Sequence, residues 1–95
     1  DAREMVNLQV SQAAFKTQEA VKTYTMTETN LSKADENLRQ ATIGFREGVM
    51  TVDNVMEAQT AWLKANSENI DARIDVYLCD VYLSKVLGTL NPYNN

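Results

Sequence analysis

FREGVMTVDNVMEAQ, residues 45–59, is the stretch whose reading decides the fold. It contains a glycine stop, two apolar residues outside any periodic pattern, and a fresh helix start. Gly48 suits the position just past a helix C-terminus, because a residue without Cβ enters the left-handed conformation at little cost. Val49 then falls where it can cover Ile43 in the last turn. Thr51 is a good N-cap, and Asp53 places a negative charge in the first turn, where the helix dipole favours it. Met50, just before the cap, can staple onto Val55. Asn54 stands where Glu or Gln would complete a capping box, so the box reads as incomplete. A turn of about three residues between two helices sets them antiparallel.

Working back from this turn, a 4-3 spacing runs through Val6, Val10, Ala13, Thr17, Ala20, Tyr24, Thr27, Leu31, Ala34, Leu38, Ala41 and Phe45. Nearly six heptads in register predict one long helix with a coiled-coil seam. Ala and Thr recur where Leu is usual, so a neighbouring helix can approach closely but gains less from burial. Met5, Phe15, Val21, Met26 and Ile43 widen the apolar face beyond one seam, which implies more than one neighbour. Thr23–Thr29 (TYTMTET) also fits a strand by period, but the heptad passes through it and no turn residue bounds it. Asp35 and Arg39 form a favourable i,i+4 pair.

Working forward, a second helix is expected from Val52 to Leu87, with apolar positions at Val55, Met56, Leu63, Ile70, Ile74, Tyr77 and Val81. Between Ile74 and Leu87 the apolar residues almost encircle it, which predicts burial on most sides. Gly88 is expected to cap it, and Asn91-Pro92 to prevent continuation. Each arm is then about 55–65 Å long. The fold class is all-α: a long antiparallel two-helix coiled-coil hairpin, with helices over residues 3–47 and 52–87. Its apolar surface is wider than one hairpin covers, so the isolated chain is expected to self-associate as a dimer or higher, joining into a helical bundle.

Composition narrows the function. The chain has 95 residues, 44% of them hydrophobic, with 3 Gly and 1 Pro, so it is at most one domain or a piece of something larger. It starts in mid-helix pattern and stops soon after Pro92, so both ends read as boundaries within a longer chain. The net charge is −4, and in the second half Asp53, Glu57, Glu68, Asp71, Asp75 and Asp80 outnumber Lys64, Arg73 and Lys85. Nucleic acid is an unsuitable partner for that surface. No apolar stretch reaches the roughly 20 residues of a membrane span. With no histidine and one cysteine, neither an activated nucleophile nor a transition-metal set can be assembled, and no glycine loop cradles phosphate. No catalytic residue, cofactor or metal ligand is assigned, and an enzyme is not expected. Cys79 reads as a small buried apolar residue, and Trp62, Tyr77 and Tyr82 as helix-packing anchors. Asp71 and Asp75, a like-charge i,i+4 pair, read as exposed or as facing water in a lumen.

Three segments together resemble the TolC-type outer-membrane efflux proteins. The turn, Phe45-Arg46-Glu47-Gly48 followed by Thr51–Gln59, matches that family's helix turn. Ala34-Asp35-Glu36-Asn37-Leu38 matches its A-x-E-N-L approach, and Leu87-Gly88-Thr89-Leu90 its L-G-x-L ending. The resemblance covers residues 34–90. It implies a trimeric channel whose helices form a periplasmic tunnel joined to an outer-membrane β-barrel, working with an inner-membrane pump and a periplasmic adaptor to export drugs or other substrates. It makes residues 1–95 the last hairpin of the second internal repeat, placed in the periplasm and lacking the membrane part. Carried across, Gly48 becomes the tip glycine that the adaptor contacts, with Val49, Met50 and Thr51 beside it. Phe45 takes an entrance-lining aromatic position, and Asn54 and Glu57 fall where some members ring the entrance with acids. Met50 and Asn54 depart from charged family positions, so an electrostatic lock at the entrance is in doubt. The alternative is a coiled-coil interaction hairpin of an adaptor or scaffold. Upstream β-strands and an earlier, similar hairpin would point to the channel.

Overall fold

The computed structural model describes residues 2–90. It contains two helices, α1 (Ala2–Arg46) and α2 (Val52–Leu90), and among the described residues no strand. TYTMTET is helical throughout, as the heptad required. The predicted bounds shift slightly. α1 ends one residue earlier than expected, whereas α2 runs through Gly88 to Leu90. Gly88 therefore lies inside the helix and is not its cap, since Gly48 alone among the described glycines has positive φ. Asn91-Pro92 falls outside the described residues.

The chain packs as two compact units: Thr25–Asp71, and Asp1–Tyr24 with Ala72–Asn95, the latter described over residues 2–24 and 72–90. Within Thr25–Asp71, α1 turns Thr27, Leu31, Ala34, Leu38, Ala41 and Gly44 inward, against Val55, Ala58, Trp62, Ala65 and Asn69 of α2. Asn69 donates to Thr27 Oγ1 at 3.2 Å and to Glu28 Oε1 at 3.3 Å. The Trp62 indole N–H donates to Asp35. In the other unit, Val6, Val10, Ala13, Thr17, Ala20 and Tyr24 of α1 are buried or half-buried, as are Ala72, Val76, Cys79, Leu83 and Val86 of α2. There the Thr17 hydroxyl shares its hydrogen between the Ala13 carbonyl, at 2.9 Å, and the Cys79 carbonyl, at 3.4 Å. In each unit partner numbers fall along α2 as they rise along α1, the register of an antiparallel pair.

The α1 seam follows the predicted spacing from Val6 to Ala41 and then departs from it. The last inward residue is Gly44, three beyond Ala41, and Phe45 is 47% exposed. The reason is local: Met50 folds back over Gly44, and that leaves Phe45 on the outside.

The α2 seam differs more. Its inward positions repeat 3-4 without a break: Val55, Ala58, Trp62, Ala65, Asn69, Ala72, Val76, Cys79, Leu83, Val86. Of the seven apolar positions assigned to the helix from the sequence only Val55 belongs to it, joined by Trp62 and Cys79, which the sequence marks separately as packing residues. Met56, Leu63, Ile70, Ile74, Tyr77 and Val81 are all exposed, as is Tyr82, so neither tyrosine anchors the pair. The Ile74–Leu87 run is covered on one side only. Trp62 alone of the three aromatics packs at the seam. The side chains buried against each other are mostly alanines (Ala13, Ala34, Ala41, Ala72), with Val86 the largest apolar one. Small side chains let helix backbones approach closely, so each residue contributes through close contact more than through area removed from water.

One surface ion pair also differs from expectation. Arg39 forks onto Glu36 (3.1 and 2.6 Å) and leaves Asp35 to Trp62. The longer glutamate reaches the guanidinium in the planar two-point geometry. The hydrogen bonds from Arg39, and a further one from Gln40 at 3.1 Å, hold the Glu36 carboxyl below its ordinary value, and the pairing with Glu36 raises that of Arg39.

Candidate functional site

The turn between α1 and α2 is closed by its own backbone. Gly48 has φ of 81°. Its N–H donates to the Phe45 carbonyl at 3.1 Å, and the Val49 N–H donates to the Gly44 carbonyl at 2.8 Å. This pair of bonds is the Schellman termination, with Gly48 in the left-handed position that the sequence assigned to it. Met50 N–H also reaches the Gly44 carbonyl, at 3.1 Å, and Glu47 N–H reaches Ile43 at 2.9 Å. The carbonyls of Ile43, Gly44 and Phe45 are thus satisfied before the chain turns.

The start of α2 is equally closed. Asn54 N–H donates to Thr51 Oγ1 at 3.2 Å, and Asn54 Oδ1 accepts from Thr51 N–H at 2.9 Å. Thr51 Oγ1 also donates to Asn54 Oδ1 at 2.8 Å. The capping box that reads as incomplete is therefore complete, because an asparagine carbonyl reaches back as a glutamate would. Asn54 is fixed by the cap while remaining on the surface.

Sequence reasoning missed Gly44. A Cβ placed there would lie 2.9 Å from Met50 Cγ and 3.1 Å from its sulfur, so the glycine makes room for Met50. The available signal was the three-residue step from Ala41, which keeps Gly44 on the small-residue column. Val49 has no such seat. It is 77% exposed, so it covers little of Ile43. Phe45, Val52 and Met56 are also exposed near the turn, as are Thr51, Asn54 and Glu57. Glu57 and Met56 line a shallow groove along α2 with Asp53, Thr60, Ala61 and Lys64. The residues singled out from the sequence therefore share one end of the hairpin. Phe45 precedes the turn, Val49 and Met50 lie on it, and Asn54 and Glu57 follow it.

This arrangement offers shape and apolar surface, not reaction chemistry. Among the described residues no group of three or more His, Cys, Asp or Glu is placed to hold a metal ion. No helix there is long and apolar enough to cross a membrane. What the geometry provides is a rigid turn that presents Val49 outward. Compared with known families, residues 1–89 match the family described as outer membrane efflux protein. No curated protein and no solved structure matches the chain.

Proposed function

Since the chain belongs to the outer membrane efflux protein family, we propose that it is a periplasmic tunnel segment of a trimeric export channel whose tip docks a periplasmic adaptor. The observation that carries this reading is the doubly closed turn with Val49 at 77% exposure. Among the described residues Val49 is the most exposed of the large apolar side chains, more so than any along either helix. A partner that covers it gains about 25 cal/mol per Å² of apolar area. Gly48, Val49, Met50 and Thr51 form the docking surface, with Gly48 the point of closest approach. Phe45, Asn54 and Glu57 border the entrance. The outward stripes of both helices lie against neighbouring helices of the assembly, and the inner-membrane pump supplies the energy. The chain then acts passively in the export of drugs or other substrates, as one hairpin of a larger channel protein.

The test uses the full-length protein in cells. Gly48→Arg should abolish export while trimers still assemble. Gly48→Ala carries the same backbone strain without the bulk and should retain most export. Normal export by Gly48→Arg contradicts docking through this glycine. Equal loss in both variants would show that turn geometry, not close approach, is what matters there.

A further inference from the structure

The seam of α2 contains one residue that burial alone disfavours. Asn69 is 1% exposed, the most deeply buried side chain of its size, and it stands where the same heptad position elsewhere carries Val55 and Val76. Its amide bonds Thr27, itself buried, and Glu28. A polar side chain at such a position lowers stability relative to an aliphatic one and in return specifies how helices pair.

What needs specifying is visible on the same helix. α2 has two apolar stripes, the inward one of mostly small residues and the outward one of Met56, Leu63, Ile70, Ile74, Tyr77 and Val81. At 3.6 residues per turn these stripes lie roughly 150° apart. Burial alone favours packing the larger stripe on α1. The turn sets the phase of α2 at Thr51, but a straight helix drifts about 20° per heptad from a seven-residue repeat. Asn69 lies some two and a half heptads beyond the cap, where the accumulated drift is about 50°. Alanine columns resist that rotation weakly, since each looks like the next. Asn69 is distinctive: turned away from Thr27 it loses a buried hydrogen bond, and an aliphatic residue takes its place against polar atoms.

We infer that the Asn69–Thr27–Glu28 layer fixes the rotation of α2 against α1 beyond the reach of the turn, keeping the larger apolar stripe outward and available. The layer is a pairing-specificity device, distinct from the tip, and it holds whether or not the tip docks an adaptor.

Thiol labelling of the whole chain in a Cys79→Ala background, at a concentration too low for self-association, tests it. Leu63→Cys reports the outward face and Ala65→Cys the inward one. With Asn69 and Thr27 present, Ala65→Cys should react at least about tenfold more slowly than Leu63→Cys. In the double variant Asn69→Val with Thr27→Val the melting temperature should not fall, yet the ratio of the two rates should move toward unity. An unchanged ratio overturns the proposal. If that variant does not fold, Asn69→Gln and Asn69→Ala replace it. Glutamine keeps an amide long enough to reach Thr27 and should keep the contrast, while alanine should lose it. Equal contrast in both overturns the proposal.

Discussion

Along α2 the side turned to α1 carries, Trp62 apart, small or polar residues (Val55, Ala58, Ala65, Asn69, Ala72 and Val76), whereas the side turned away carries Met56, Leu63, Ile70, Ile74, Tyr77 and Val81. A hairpin built to stand alone would reverse this, because large apolar side chains stabilise most where water is excluded. Here the inner side is selected for close approach and for polar cross-links. The outer side holds the greater share of apolar area. The difference fits a part designed to be finished by its neighbours: tight within the hairpin, adhesive outside it.

Substitutions at paired positions can break that comparison. Ala72→Leu on the inner side should cost roughly 1–3 kcal/mol in urea unfolding, since a close-packed seam has no room for added carbons. Leu63→Ser on the outer side should stay within about 0.5 kcal/mol when the same chain is unfolded at a concentration too low for self-association. Equal costs at the two positions would erase the distinction between the sides.

A smaller effect sharpens the contrast at the exposed edge of α1. Arg39 and Gln40 hold Glu36 below its ordinary pKa. Its folded value is depressed, so whatever it contributes is present above the unfolded carboxyl pKa and is lost as pH falls through the folded one. The pair is fully exposed, so its effect belongs to titration more than to stability. In an NMR titration, Arg39→Met should move the Glu36 midpoint upward. An unchanged midpoint would remove the ion pair from solution.

These contrasts also explain what could be read in advance. The α1 seam was legible because Val6 to Ala41 keep one spacing with polar residues between them. So was the glycine stop, because Gly48 needs the left-handed conformation and its neighbours cannot supply it. The α2 seam was legible only at Val55, Trp62 and Cys79, because its alanines are quiet beside the louder stripe of Met56, Leu63, Ile70 and Tyr77. Asn69 reads as surface until Thr27 is placed opposite it, and those residues are far apart in sequence. Gly44 reads as a weak point in a helix, and its use appears only when Met50 folds back over it. Gly88 shows the converse error, a glycine in the right place for a cap that the helix passes through.

The most direct test of an outward surface left open for neighbours is the association state of the isolated chain. Light scattering at tens of micromolar should show a dimer or larger assembly, with circular dichroism reporting two long helices. A stable, fully helical monomer at that concentration would contradict it.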